Sequence, residues 1–564
     1  MRQPHVLLIY ANPAVTATPV TPYGMERIAQ VMGLAGCEVQ MLAPFIEAAP
    51  LAALRDAISA FEPDLPDLIG FSVRNIDDAL VVRGESPTPG AGDIDTTFYL
   101  DAVRPLVDAA IAAVGPERVV LGGAALGAGG AAVLRFLGAS LGLSGPSEDL
   151  AFGMARQLAT GQAIALPDDP RVLRADTAAD SPQPARWPTR WRAPPGLPTR
   201  MGPYLGLALA RGGRVPVRVS AGCDRRCAFC VEARFLGHNV VPRPVDAIVA
   251  EIDALTALGI RRFWLAASEL NAPDDRHAIA LLKRLAGRGL DLRGFMQVAP
   301  VSDALLDAME AAGLDPEGLS FEFGHLDDAV LRAGGGPANR RQIDALVETW
   351  LRRGYRQLGG SVLFGAHPAE TEATLERALD DARTLDDALP DGLGLAYACG
   401  ARVYANTPLA DWIRANPAAA APHLYTRGDA VDPAFVRPVV YCQPGAPRAL
   451  LTRVNAALQG TKGPMGPMNV EASGAPADAL VNRGIWRLQE ERIEAAAACF
   501  REAIALSPDH AEALSQLARV AANHLGDADE ARRALRRLLA LLPAEDARRE
   551  ELRRALSTLE ERTS

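Results

Sequence analysis

The residues best placed to do chemistry stand together in one loop. Cys223, Cys227 and Cys230 lie within Cys223-Asp224-Arg225-Arg226-Cys227-Ala228-Phe229-Cys230, three thiols spaced CxxxCxxC in a chain with seven cysteines in all. Thiolates at this spacing can wrap one face of a cubane. Each ligates one iron of a 4Fe–4S cluster, and the fourth iron is left open to an outside ligand. A structural zinc site would take a fourth Cys or His close by. The nearest is His238, eight residues beyond Cys230, and no second CxxC pair follows. Three closely spaced cysteines cannot all pair, so a disulfide does not account for the motif. The spacing points to iron–sulfur chemistry with one coordination position kept for a ligand.

A chain of 564 residues is long enough for about three domains. Its 49% hydrophobic content supplies buried cores, and a net charge of -10 argues against a nonspecific grip on nucleic acid. Pro, Gly and Arg interrupt every apolar run before it reaches the ~18–20 residues of a membrane span. The N-terminal MRQPHVLLIYANP is too short and too weakly charged for a signal peptide, so the expectation is a cytoplasmic protein with reduced thiols. Lys283 and Lys462 are the only lysines in an Arg- and Ala-rich chain. That bias inflates helical propensity, so periodicity and Pro/Gly punctuation decide the elements.

The cysteines must be positioned by the elements around them. Residues 1–160 alternate strands over 5–10, 38–42, 67–73, 118–121 and 140–144 with helical stretches, without hairpin signals. This is the pattern of a doubly wound parallel sheet, which binds ligands at the carboxyl ends of its strands. Those ends carry Ser72, Arg74 and Asn75, then Gly122 and Gly123, then Gly145-Pro146-Ser147-Glu148. Glycines there let a backbone approach a flat or phosphate-bearing ligand. Residues 161–214 read as an interdomain strap: ten prolines lie between Leu166 and Pro216, with Trp187 and Trp191 among them.

From 215 to 410 a strand delivers the cysteine loop and five further strand–helix repeats follow, giving a partial (β/α)6 barrel. Chemistry in such barrels sits at the carboxyl ends of the strands. Here those ends are polar: Ser268-Glu269-Leu270-Asn271, Gln297, Ser320 and Glu322, then Gly365-Ala366-His367-Pro368-Ala369-Glu370-Thr371. Residues 411–475, with Tyr425, Tyr441 and Cys442, read as an extension covering the barrel. Residues 476–564 place Gly484, Ala496, Phe500, Ala503 and Pro508 at the small and bulky positions of a 34-residue helical repeat of tetratricopeptide type. A second repeat begins at Ala511 and a capping helix covers 545–561. Two repeats and a cap are short of a free-standing solenoid, so this piece is expected to dock on the barrel.

The cysteine motif, with Gly222 before the first Cys and the aromatic Phe229 before the last, resembles that of the radical S-adenosylmethionine (SAM) superfamily. The sheet domain upstream and the segment Gly400-Ala401-Arg402-Val403-Tyr404-Ala405-Asn406-Thr407-Pro408-Leu409 resemble the cobalamin (B12)-dependent branch of it. Ala405 stands where that branch has Pro, and His367 is inserted in its GxPxET turn. The resemblance implies a 4Fe–4S cluster on Cys223, Cys227 and Cys230. It implies SAM on the open iron, contacted by Phe229, Glu269, Gln297, Glu322 and Arg402, and cobalamin against Ser72, Arg74, Asn75, Gly122, Gly123 and Glu148. No DxHxxG motif precedes Cys223, so the cobalt would have no histidine below it. Arg74 either lies against the lower corrin face or is a surface, salt-bridged Arg. Tyr404, Cys399 and Cys442 are candidate acids or hydrogen donors, and buried inert thiols are the alternative for the two cysteines.

The activity implied is methyl transfer to an unactivated carbon of a small-molecule or peptide substrate, with electrons from a donor of flavodoxin or ferredoxin type. The helical repeats would be available to a protein partner. The alternatives are an oxidative cyclisation or ring rearrangement with the same cofactors, and a B12-binding sensor whose helical repeats are the output. A tRNA methylthiotransferase is disfavoured: that family carries three further cysteines in its N-terminal domain, where this chain has only Cys37.

Overall fold

The computed structural model describes residues 3–14, 20–82, 92–176, 203–336, 338–468, 475–543, 546 and 548–561. The strand His5–Ala11 (HVLLIYA) is apolar along its length and buried on both faces, which places it inside a parallel sheet rather than at an edge. The sheet runs Glu38–Leu42, His5–Ala11, Leu68–Val73, Val119–Gly122, Leu141–Leu143, Val172–Arg174. The first five strands are parallel in the flavodoxin-like order 2-1-3-4-5. The sixth, Val172–Arg174, pairs antiparallel to Leu141–Leu143 and caps the edge. It falls within the stretch expected to be an extended, Pro-rich strap, as does the helix Pro203–Ala210. Trp187 and Trp191 lie outside the described residues.

The helix Pro203–Ala210 (PYLGLALA) is apolar all round because it serves three cores at once. Leu205 and Ala208 pack into the barrel core, Tyr204 into a core of the N-terminal domain, and Leu207 into the core of the C-terminal helices.

The barrel wall takes its six strands from Val215–Arg218, Arg262–Ala266, the interrupted pair Asp291–Arg293 and Met296–Gln297, Ser320–Gly324, Leu358–Phe364 and Leu393–Cys399. The third strand, expected to be continuous over 292–299, breaks at Gly294-Phe295, so the wall divides into ladders of three and five strands. The five-stranded ladder ends in Met465–Pro467, parallel to Leu393–Cys399. The extension thus returns to add a strand to the wall as well as covering it.

Alternation along the strands tells which way the wall faces. In Leu358–Phe364 and Leu393–Cys399 every second residue is buried among the surrounding helices, and the residues between are only half-buried. Most of those between are small, Gly359, Ser361, Gly394, Ala396 and Ala398, with Leu363 the exception; on the second strand the same parity carries Trp264 and Ala266. A closed (β/α)8 barrel fills this face with Val, Ile and Leu. Here the inner face is left hollow.

The C-terminal helices Pro476–Gln489, Ile493–Leu506, Ala511–Val520, Ala528–Leu541 and Arg548–Glu561 form stacked pairs. Gly484 is seated against the Phe500 ring, where a Cβ would stand 2.4 Å from Cε1. Their docking differs from expectation. Trp486 packs edge-on to Tyr204, Arg487 pairs with Glu47 at 2.5 Å, Arg483 donates to the Ile46 carbonyl, and Arg211 reaches Asp478 at 2.7 Å. The helices therefore sit on the N-terminal domain and the linker helix, not on the barrel face. No helix among the described residues is long and apolar enough to cross a membrane.

Candidate functional site

The cysteine loop is held over the carboxyl ends of the strands by its own backbone. Cys223 N–H donates to the Gly237 carbonyl, Ala228 N–H to Gly334, and Leu409 N–H to the Ala228 carbonyl. Ser268, at the end of the second strand, donates to the Gly222 carbonyl at 3.1 Å. Gly222 has φ +94°, and a Cβ there would lie 2.1 Å from the Asn239 carbonyl oxygen, so only glycine serves. The three thiols line one cavity of about 430 Å³, together with Arg225, Arg226, Ala233, Arg234, His238 and Pro408. Burial pushes the Cys223 thiol up to about 11 and Cys230 to about 12, and Cys227 is raised as well; neighbouring carboxylates add to each, and neighbouring thiols to Cys227 and Cys230. Among the described residues no three His, Cys, Asp or Glu groups converge tightly enough to hold a single metal ion. A cubane takes one thiolate per iron corner, which is a wider arrangement.

Beside the loop, Glu269 and Gln297 come together as the sequence led one to expect. Glu269 is buried, and burial raises its carboxyl to about 7 against the opposing pull of Arg225. Glu269 Oε2 and Arg225 Nε are 3.8 Å apart, and neither has a hydrogen-bond partner. Arg225 Nη2 donates to Gln297 Oε1, and the Asn271 side chain fixes Gln297 by exchanging hydrogen bonds with its backbone at 2.9 and 3.0 Å. Glu322 stands on the inner face of the wall, taking a hydrogen bond from Ser361 at 2.9 Å and one from Gly324 N–H, and its carboxyl is raised by burial. Arg225 Nε also lies 3.5 Å from Asp224 Oδ1; an acid and a base each with one unbonded buried atom beside three thiols suit a ligand carrying both an ammonium and a carboxylate. Phe229 is half-buried against an apolar cluster containing Val403, Leu409 and Tyr441. Arg225, Asn271 and Ser361 were not singled out from sequence; Asn271 closes the polar run Ser268–Asn271 that drew attention to Glu269.

The second ligand edge is that of the N-terminal sheet. Gly123 caps the helix Ala124–Leu137 with φ +99°, and a Cβ there would lie 2.3 Å from the Val73 carbonyl oxygen. The edge is bare backbone where a flat ligand could approach. Ser72 and Asn75 are half-buried, Arg74 is exposed and makes no ion pair with another described residue, and Glu148 opens the helix Glu148–Ala159. This edge leaves room for a flat ligand to approach the backbone at Gly122 and Gly123.

Three expected residues are employed elsewhere. The Arg402 side chain is 2% exposed, and its N–H groups go to Asp77 Oδ2 at 2.7 Å and to the carbonyls of Val403, Phe435 and Val436. Four of its five N–H donors are so committed inside the protein, and the side chain is not part of the cysteine cavity's lining. Tyr404 donates to Asp77 Oδ1 at 2.8 Å, is half-buried, and lies 4.6 Å under the Arg402 guanidinium; burial first, then Asp77, holds its phenol well above the ordinary range. Both residues join the barrel to the loop after the third strand of the N-terminal sheet. Cys399 shares the buried face of its strand with Leu395 and Tyr397, so it points to the helices and away from the hollow. Asp77, the partner of both Arg402 and Tyr404, was missed: nothing in the sequence pairs residues 325 positions apart.

Residues 217–382 match the model of the Radical SAM superfamily and are a radical SAM domain. Among curated proteins, the chain is 33% identical over 236 residues to the ribosomal protein uS12 methylthiotransferase RimO of Kineococcus radiotolerans, an alignment covering 35% of this chain and 48% of that protein. The chain thus spans about half the length of the RimO relatives it matches. It is 26% identical over 458 residues to the tryptophan 2-C-methyltransferase of Streptomyces laurentii, covering 68% of this chain and 71% of that one. Among solved structures, the radical SAM methyltransferase TsrM of Kitasatospora setae, with cobalamin and a 4Fe–4S cluster bound, superposes with a TM-score of 0.67 at 21% identity. It covers 89% of this chain and all of its own, a likeness of fold.

Proposed function

We propose that this chain is a cobalamin-dependent radical SAM methyltransferase acting on an unactivated carbon of a small-molecule or peptide substrate. The observation that carries the reading is the presence of two ligand edges in one body: a three-thiol loop over a hollow barrel, and the bare carboxyl edge of a flavodoxin-ordered sheet. The similarity to a tryptophan 2-C-methyltransferase across most of both chains supports methyl transfer to carbon. When bound, the cluster would supply electrons, SAM the methyl group and the corrin a methyl carrier.

Cys223, Cys227 and Cys230 would hold the cluster. Arg225 and Glu269 would take the carboxylate and ammonium of SAM, with Gln297 orienting Arg225 and Phe229 walling the site. Glu322 and Ser361, on the hollow face, would accept and donate to ribose hydroxyls. Ser72, Asn75, Gly122, Gly123 and Glu148 would seat the corrin, with Arg74 beneath it. The buried Asp77–Arg402–Tyr404 unit would keep water from the space between the edges and hold them in register. Electrons would come from a donor of flavodoxin or ferredoxin type, and the C-terminal helices would be open to a protein partner. Methylthio transfer is not adopted: Cys37, the one N-terminal cysteine, is buried with its thiol directed at the Ala155 carbonyl.

The test is anaerobic incubation of the cobalamin-loaded protein with methyl-labelled SAM and a low-potential reductant, followed by nucleoside analysis. A methyltransferase of this kind yields S-adenosylhomocysteine, alone if the methyl passes as a cation and together with 5′-deoxyadenosine if it passes by a radical route. Formation of 5′-deoxyadenosine alone would favour ring rearrangement, formation of neither a sensor, and either result would overturn the proposal.

A further inference from the structure

The contact between the two ligand edges is closer than domain packing alone requires. The helix Ala124–Leu137 starts immediately after Gly123, at the sheet edge assigned above to the corrin. Its second turn rests on the short helix Glu232–Leu236, which begins two residues after the cluster ligand Cys230. A methyl group placed on Gly127 would stand 2.5 Å from Cγ of Phe235 and within 3 Å of both Cδ atoms. No side chain fits there without displacing the ring at its root. The same turn is held from a third direction. Asn406 Nδ2 donates to the Gly127 carbonyl at 2.9 Å and Asn406 N–H to the Ala128 carbonyl at 3.2 Å, with Asn406 itself 1% exposed. The helix breaks at Gly130 (φ 56°, ψ -144°), and a break of this kind frees carbonyls in the turn before it from their helical donors. Asn406 supplies donors to two carbonyls of that turn.

We infer that the Gly127 notch, filled by Phe235 and tied by Asn406, is the spacer that sets the distance between the corrin edge and the cluster loop. Gly127, Phe235 and Asn406 are positioning residues for transfer between the two sites, an inference that rests on the function proposed above. None of the three touches a proposed ligand. Their effect is geometric: a Gly127→Ala methyl must push the ring back by about 1 Å, and a misplacement of ~1 Å between reacting groups costs on the order of 10²-fold in rate.

The experiment uses the full chain. Amide hydrogen exchange of Gly127→Ala, read on peptides spanning Ala124–Leu137 and Glu232–Leu236, should quicken at least tenfold over wild type in both segments. In the loaded protein, iron content, cobalamin content and SAM affinity should stay at wild-type values while turnover of labelled SAM to S-adenosylhomocysteine falls at least tenfold, an effect on kcat without one on SAM binding. Phe235→Leu in the Gly127→Ala background makes room for the methyl and should restore at least half of both losses. A purely local destabilisation would not be repaired by shrinking a residue in another domain. Wild-type exchange and turnover in Gly127→Ala, or failure of Phe235→Leu to repair the loss, overturns the inference. Should Gly127→Ala not fold, Asn406→Ala decides in its place: quickened exchange in Ala124–Leu137 with slowed turnover is expected, and wild-type behaviour overturns it. If wild-type protein forms no S-adenosylhomocysteine the methyltransferase reading fails, and the exchange measurements still judge the spacer on their own.

Discussion

The reassignment of Arg402 from a SAM ligand to a domain clamp is open to a direct thermodynamic test. Its guanidinium faces Asp77 at 2.7 Å with both side chains at 2% exposure or less, and Asp77 also accepts from Tyr404 and from Ala79 N–H. Removing one partner of such a pair leaves an uncompensated buried charge, which costs ~3–5 kcal/mol. Arg402→Met further strips donors from the carbonyls of Val403, Phe435 and Val436, and Asp77→Asn leaves the guanidinium without its counter-charge. For a domain of roughly 150–250 residues a loss of ~3 kcal/mol lowers the melting temperature by about 6–12 °C. The double variant Asp77→Leu/Arg402→Met removes both charges and should recover more than half of either single loss, a coupling energy of about 2 kcal/mol or more. Calorimetry on the apo-chain follows the melting of the N-terminal domain, and SAM affinity is measured separately on reconstituted protein. A clamp predicts that the double variant binds SAM as wild type does. Unchanged melting in Asp77→Asn, with SAM affinity lost in both variants lacking Arg402, would return Arg402 to the SAM site and refute the clamp.

Replacing Cys223, Cys227 and Cys230 by Ala should remove the roughly four irons and four sulfides expected per reconstituted chain; full iron in the triple variant would undo the ligand assignment. In the apo-protein, Cys223 at about 11 against an ordinary 9.0 carries ~100-fold less thiolate near neutral pH, so alkylation should be slowed by that factor and rise tenfold per pH unit up to about pH 11. Rapid labelling of Cys223 at pH 7 would contradict the burial seen here. Arg74→Ala should weaken cobalamin binding or alter its Co(II) EPR spectrum, and wild-type protein should show no histidine nitrogen splitting; such splitting would remove the arginine from the lower face. Deletion of residues 475–564 uncovers Leu207 and Tyr204, each at 2% exposure or less, at a cost of ~2 kcal/mol apiece. The truncated chain should therefore melt lower through its N-terminal domain while its iron loading is retained; an unchanged melt would mean that the docking seen at Trp486 is not stabilising.

The parts of the fold readable in the sequence were those set by local periodicity. The apolar run at residues 5–10, the alternation of strands and helices through residues 1–160 and the helix over 340–353 all gave elements within a residue or two of those observed. Elements that depend on a distant partner were not readable. Met465–Pro467 is three residues long, has no alternation, and is a strand only because Leu393–Cys399 offers an edge to it. The helix Pro203–Ala210 lies among prolines and has no polar face, so no amphipathic period marks it. The candidate site divides in the same way. The thiols, Glu269, Gln297 and Glu322 are local features of strand ends and fall where the barrel places them. Arg402 and Cys399 were misjudged because a strand end says that a residue is near the mouth, not which face it takes. For Cys399 the parity of the strand decides, and for Arg402 an aspartate from another domain.

The hollow inner face and the buried polar groups at its rim have one explanation. Small residues at Gly359, Ser361, Ala396 and Ala398 give up the dispersion contacts that a filled barrel would make, and Glu269 Oε2 and Arg225 Nε are kept from water without a hydrogen bond to compensate. Neither helps the chain to fold. Each is what a barrel needs if a guest completes its interior, because the guest restores both the missing contacts and the missing hydrogen bonds. The stabilising elements are accordingly outside the hollow: the helix-facing side of the strands, the three-way helix at Leu205 and Leu207, and the buried Asp77–Arg402 pair. The chain is rigid around the space and under-satisfied within it, which is the arrangement expected of a preorganised site.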